Sequence, residues 1–109
     1  MMKVEAIIRP EKLNAVKASL EEIGVHGMTA YPVQGRGEQK GLCFTHRAGN
    51  YRIDMLEKTK LEIVVSDDQT EKVVETVCQA ARTGDAGDGK IFVYPVARVI
   101  RVRTGEEVK

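Results

Sequence analysis

The period of the hydrophobic pattern in this chain switches between two and 3.6 residues, and the switches come in the same order twice. Residues 3–9 form a short apolar run rich in Val and Ile, closed by Pro10, which fits a buried strand better than a helix. From Pro10 the spacing turns helical. Leu13, Val16, Leu20 and Ile23 share one face, proline suits the opening turn, and Gly24 supplies a stop. Residues 28–33 then read as a second strand and residues 60–65, KLEIVV, as a third. Ser66-Asp-Asp-Gln69 has the spacing of a capping box before a second helix. On that helix Val73, Val74, Val77, Cys78 and Ala81 make one apolar stripe, which Gly84 closes, and residues 91–102 carry strand character to their end. The order strand, helix, strand, gap, strand, helix, strand within 109 residues implies one domain spanning 1–109. Its expected architecture is an α+β, ferredoxin-like βαββαβ sandwich, an antiparallel sheet with two helices on one face.

Two segments are more than such a sandwich needs. The gap between the second and third strands leaves a loop at about 36–55 containing four of the glycines near or in it, Gly35, Gly37, Gly41 and Gly49. Loops beyond about 12–15 residues are uncommon in compact domains unless they carry function or disorder. This one reads either as an extension of the two flanking strands into a hairpin or as a mobile loop that meets a ligand or partner. The second segment is 82–90, RTGDAGDGK. Glycines at 84, 87 and 89 free the backbone to aim several N–H groups at one anion, and Lys90 adds a charge. Gly84 to Lys90 fits the G-x-x-x-x-G-K core of a nucleotide-binding P-loop, but Ile91 replaces the magnesium-binding Ser or Thr and a strand follows in place of a helix. An anion cradle therefore remains while a P-loop fold is excluded. Strand alternation in the last run would set Arg101 and Arg103 about 7 Å apart on one face, a spacing suited to successive phosphates.

Charge excludes other classes. Seventeen Lys and Arg face sixteen Asp and Glu, and no third of the chain departs from neutrality by more than two charges. Nucleic-acid binding through bulk charge is thus not expected, nor is RNA binding by stacking, with three Tyr, two Phe and no Trp. The opening MMKVEAIIRPEK has no signal-peptide pattern, and the two cysteines, Cys43 and Cys78, form neither a disulfide framework nor a zinc ligand set. A reduced, cytoplasmic protein is expected. His26, Cys43 and His46 read as turn and loop residues, and no nucleophile–base arrangement or carboxylate pair marks an enzyme.

The stretch Thr83-Gly-Asp-Ala-Gly87-Asp-Gly-Lys-Ile-Phe92-Val, with Ala97-Arg-Val-Ile-Arg-Val-Arg-Thr-Gly-Glu-Glu107 after it, resembles the C-terminal signature of the PII family of nitrogen-regulatory signal transducers. Val4-Glu-Ala-Ile-Ile-Arg-Pro-Glu-Lys-Leu13, Gly27-Met-Thr29, Gly35-x-Gly37-x-Gln-Lys-Gly41 and Lys58-x-Lys-x-Glu62-Ile-Val extend the resemblance over essentially the whole chain. It implies a homotrimer with ATP or ADP in clefts between neighbours, 2-oxoglutarate bound together with Mg-ATP, and a long loop that regulates partners. By position, it implies a nucleotide site of Thr29, Gly37, Glu62, Val64, Gly87, Asp88, Gly89, Lys90, Arg101 and Arg103, with the two arginines, in the C-terminal segment 97–109, reaching over from the adjacent subunit. It implies 2-oxoglutarate contacts from Gln39, Lys40, Gly41 and Lys58, with Gln39 also completing the magnesium shell. Lys58 would pair with the distal carboxylate. Tyr51 stands where some members are uridylylated, and Arg47 where channel-blocking members enter an ammonium channel, the one route by which membrane association is implied. Nitrogen-metabolism enzymes and regulators are the other implied partners. Two readings stand beside it: an adenine-nucleotide sensor whose partner lies in carbon metabolism or transport, and a slow nucleotide hydrolase.

Overall fold

The computed structural model describes residues 1–36 and 55–109 in full, together with the backbone of 42–46 and 49–53. Among the described residues there are six strands, β1 (Met2–Ile8), β2 (Thr29–Gly35), β3 (Leu42–His46), β4 (Gly49–Ile53), β5 (Leu56–Val65) and β6 (Gly89–Pro95), and two α-helices, α1 (Leu13–Glu22) and α2 (Thr70–Ala81). Four strands form one antiparallel sheet in the order β2-β5-β1-β6, and β3 pairs with β4 in a separate two-stranded ribbon. With the ribbon set aside, this is the expected ferredoxin-like α+β sandwich.

Alternation along each strand sorts the sheet into two faces. Val4, Ala6 and Ile8 of β1 and Leu61, Ile63 and Val65 of β5 point to the helices and are buried with Val16 and Leu20 of α1 and Val73, Val77 and Ala81 of α2. Helical spacing of Leu13, Val16, Leu20 and Ile23 places all four against this core, as the periodicity requires. Helix α1 stops at Gly24, whose φ of +82° lets its N–H reach the Glu21 carbonyl at 3.0 Å and the Val25 N–H reach that of Leu20 at 3.0 Å. This is the paired bonding of a Schellman stop, and it satisfies carbonyls that the helix itself leaves open.

Three expectations need correction. The strand read over 91–102 is β6 and ends at Pro95. Its ladder on β1 closes at Met2↔Pro95, the Val96 N–H donates to the Met1 carbonyl at 3.1 Å, and beyond that no strand among the described residues pairs with the segment. It folds on itself instead: Ile100 bridges Glu107, Arg101 N–H bonds the Glu106 carbonyl at 2.9 Å, and Val108 N–H bonds that of Val99 at 2.9 Å. Arg101 and Arg103 are therefore exposed residues of this turned segment and not neighbours on a strand face. Second, Ser66 does not form the capping box. A 3-10 turn at Asp67–Gln69 precedes α2, and the Ser66 hydroxyl meets the Gln69 side-chain oxygen at 3.1 Å. Third, β5 begins at Leu56 and not at residue 60; the flanking strands extend into the long gap, as one of its two readings had it, and the gap also holds the β3–β4 ribbon.

Candidate functional site

Helix α2 ends at Ala81 and β6 begins at Gly89, and the seven residues between them make a turn that three charged side chains tie down. Asp88 is the hub. Its Oδ2 accepts the backbone N–H groups of Thr83 at 2.9 Å and Gly84 at 2.8 Å, and its Oδ1 accepts the Thr83 hydroxyl at 2.5 Å and Arg9 Nε at 3.0 Å. These bonds, the Thr83 ones foremost, hold the Asp88 carboxyl far below the ordinary carboxylate range. Arg9 also donates to the Ala86 carbonyl at 2.8 Å, and Lys58 donates to the Gly87 carbonyl at 2.6 Å. The carboxylate and two of the turn's carbonyls are thus engaged by the protein's own donors, and the N–H groups of Thr83, Gly84 and Asp85 by its acceptors.

Glycine is required where the turn meets the sheet. Gly89 has φ of +108°, and a Cβ built there would lie 1.7 Å from the Ile7 carbonyl oxygen. Gly87 has φ of +100°. Both conformations are open to glycine and costly to other residues. A cleft of about 380 Å³ opens beside the turn, lined by Gly35, Arg36, Lys58, Gly87, Lys90 and Phe92 among others. Lys58 is only 8% exposed, and burial, with the nearby Arg9 charge, lowers its pKa from the ordinary lysine value. Three cations, Arg36, Lys58 and Lys90, line this cleft against two carboxylates, Asp85 and the already engaged Asp88, a net positive balance that fits a polyphosphate.

The other predicted nucleotide residues lie elsewhere on the same sheet face. Register pairs Thr29 with Glu62, and these with Val64 line a second cleft of about 460 Å³ together with Lys3, Val96 and Arg98. Lys58 and Glu62 are four residues apart on β5 and Lys58 and Val64 six, so the two clefts are separated by roughly 14–20 Å of strand. Within the chain the structure groups Lys58 with Gly87–Lys90, and Thr29 with Glu62 and Val64, but does not bring the two groups together. The C-terminal segment bearing Arg101 and Arg103 leaves the sheet at the second cleft's end.

Between the clefts, the open face of the sheet carries a ladder of charges. Glu5 and Glu62 sit directly opposite each other across β1 and β5, a repulsive placement that diagonal partners relieve. Lys60 Nζ lies 3.1 Å from Glu5 and Lys3 Nζ 3.2 Å from Glu62, while the Tyr94 hydroxyl donates to Glu5 at 2.7 Å and that of Tyr31 to Glu62 at 3.2 Å. The Tyr94 bond and then Lys60 lower the Glu5 pKa. Tyr31, Val64, Phe92 and Tyr94 on this face remain more than a third exposed.

Gly37, Gln39, Lys40, Gly41 and Arg47 lie outside the described residues, and Tyr51 belongs to β4 with only its backbone described. Among the described residues no group of three or more His, Cys, Asp or Glu could hold a metal, and no helix is long and apolar enough to cross a membrane. Cys78, read from sequence as core, is half-buried at the rim of α2. Arg9 was missed by sequence reasoning. It follows an apolar strand and precedes a proline, so nothing local marks it, and its acceptors are 77 and 79 residues away.

Comparison with known proteins identifies relatives along nearly the whole chain. The model of the family described as "Nitrogen regulatory protein P-II" matches residues 1–106. The chain is 55% identical to "Nitrogen regulatory protein P-II 2" of Methanothermobacter thermautotrophicus, over 100% of this chain and 95% of that one. It is 52% identical to "Nitrogen regulatory protein P-II 1" of Escherichia coli K12, over 98% and 96%, and 51% identical to the P-II protein of Pyropia yezoensis, over 97% and 95%. This chain belongs to the nitrogen regulatory protein P-II family.

Proposed function

We propose that this chain is a non-enzymatic signal transducer that binds ATP or ADP in clefts between the subunits of a homotrimer and takes up 2-oxoglutarate together with Mg-ATP. It acts on protein partners of nitrogen metabolism through the 36–55 loop. The observation that carries the reading is the division of the site: each protomer presents a phosphate-type cleft and a second cleft at opposite ends of one open sheet face. A neighbour laid against that face would bring one protomer's turn to the other's Thr29, Glu62 and Val64. It would also bury the exposed Tyr31, Phe92 and Tyr94.

In this reading the main chain of Gly87, Asp88 and Gly89 and the ammonium of Lys90 hold phosphates. The Asp88 carboxylate, already engaged by Thr83 and Arg9, keeps the turn in shape. Thr29 and the backbone at Val64 meet the base, Glu62 lies near the ribose, and Arg101 and Arg103 reach the phosphates from the adjacent subunit, with Gly37 closing the site. Magnesium carried by the nucleotide would offset phosphate charge and accept oxygen donors, and Gln39 would offer one such oxygen. Lys40, Gly41 and Lys58 receive the 2-oxoglutarate, and the buried Lys58 ammonium favours a second carboxylate. Ligand occupancy shifts the loop between populations among which a partner selects. Arg47 is the residue offered to an ammonium channel and Tyr51 the one offered for modification. The compartment proposed is the cytoplasm.

Calorimetric titration of 2-oxoglutarate with Mg-ATP, and separately with Mg-ADP, tests this. Binding that needs Mg-ATP and disappears in Gln39→Ala is expected. Nucleotide binding with no oxoacid response would point to an energy sensor whose partner lies in carbon metabolism or transport. Absence of any nucleotide binding would refute the proposal.

A further inference from the structure

We propose that Lys58 is a positioning residue for the glycine turn: its buried ammonium holds the Gly87 carbonyl and so aims the next N–H, that of Asp88, before any ligand arrives. The inference rests on the turn being a phosphate cradle, and it gives Lys58 a task that does not involve an oxoacid.

A trans peptide is planar, with its C=O and N–H pointing in opposite directions. No peptide among the described residues is cis, so anchoring the Gly87 carbonyl on Lys58 at 2.6 Å turns the Asp88 N–H away from that lysine. Arg9 does the same one residue earlier, since its bond to the Ala86 carbonyl at 2.8 Å sets the direction of the Gly87 N–H. Two successive amides are thereby oriented by two cations acting on the carbonyls behind them. Such oriented amides are what an anion-binding concavity needs. Without these ties the turn would not hold one form. Gly87, at φ +100°, lies in a region that glycine leaves at little cost, so the 87–88 peptide can reverse. Asp88 and Thr83 secure the start of the turn and β1 secures Gly89, leaving the 87–88 peptide between them to Lys58. The lysine reaches it from β5, and its stem passes beside Gly35, where an added Cβ would lie 3.6 Å from Lys58 Cγ.

Nuclear magnetic resonance of the ligand-free protein and nucleotide titration without 2-oxoglutarate test the assignment. In the unaltered protein the Lys58 ammonium is expected to exchange slowly with water and to show a coupling to the Gly87 carbonyl carbon. In Lys58→Met the Gly87 and Asp88 amide signals should broaden or double while those of Thr83 and Gly84 stay single. Affinity for ATP and for ADP should each fall about tenfold, the size expected for loss of a hydrogen bond from a charged donor. A fast-exchanging ammonium in the unaltered protein would overturn the assignment, as would unchanged turn amides in Lys58→Met. If the unaltered protein binds no adenine nucleotide, the functional proposal falls, and the ammonium signal alone still decides whether Lys58 holds the turn.

Discussion

Replacing Gly89 by Ala separates two costs that glycine avoids at once. The first is conformational: φ of +108° is outside the regions an L side chain occupies readily, which costs about 1–3 kcal/mol. The second is steric. The added Cβ would meet the Ile7 carbonyl oxygen at 1.7 Å and the Ile7 carbonyl carbon at 2.8 Å, both backbone atoms that cannot rotate away. Carbon and oxygen need about 3.3 Å, so β1 and β6 must part by roughly 1.5 Å at this end. That breaks the ladder at Ile8↔Gly89 and strains Ile7↔Lys90. Losing one or two backbone hydrogen bonds adds about 1–2 kcal/mol, for a total of about 2–5 kcal/mol. Gly84 is the control: its φ is +93° but nothing lies within 4 Å of its missing Cβ, so Gly84→Ala carries the backbone cost alone, about 1–3 kcal/mol. Urea unfolding of both variants at one fixed protomer concentration measures the difference, since assembly makes apparent stability depend on concentration. Equal losses in the two variants would refute the close approach of Gly89 to Ile7 as the reason for glycine there.

Two further outcomes follow from the struts of the turn. The folded Asp88 pKa lies below its unfolded value of about 4, so its contribution to stability is complete above that pH and is lost as the pH falls through the depressed folded value. Stability measured from pH 6 down to pH 3 should therefore drop more steeply in the unaltered protein than in Asp88→Asn, and parallel curves would contradict the sign. Thr83→Val removes the hydroxyl that donates to Asp88 and accepts the Asp85 N–H. It should weaken nucleotide binding about fivefold by titration, whereas Thr83→Ser keeps both bonds and should stay near the unaltered affinity.

Much of the fold was legible because its signals are local. Four apolar residues at helical spacing and a glycine at position 24 are enough to place α1 and its stop, since each depends on neighbours within one or two turns. The end of β6 depends on something that the run Val-Ile-Arg-Val-Arg does not contain, a partner strand. Alternation and β-branched content qualify residues 96–102 as a strand, but the β1 ladder stops at Met2↔Pro95, and the segment finds its hydrogen bonds in its own return at Glu106 and Val108. Ser66 shows the same limit at shorter range. Capping-box spacing is present, but a 3-10 turn tightens the helix entry and the hydroxyl turns to the Gln69 side chain.

At the candidate site the division between legible and hidden follows the same physics. Glycines 84, 87 and 89 announce a turn of positive φ, and all three adopt it. Which acceptors the turn conceals could not be read, because that depends on Arg9 at the end of β1 and Lys58 on β5, brought to one turn only when the sheet forms. The signature residues therefore divide into two physical kinds that look alike in sequence. Gly87, Gly89 and Lys90 shape and charge the cleft, while Asp88, acidic beside a proposed phosphate site, would repel the ligand if it faced outward. Its four bonds to Thr83, Gly84 and Arg9 turn its charge inward and make it the reason the neighbouring amides can face an anion. An aspartate inside a phosphate cradle is thus compatible with the proposed function only because Arg9 and Thr83 neutralise and bind it. Removing either partner should harm nucleotide binding through the turn without either touching the nucleotide.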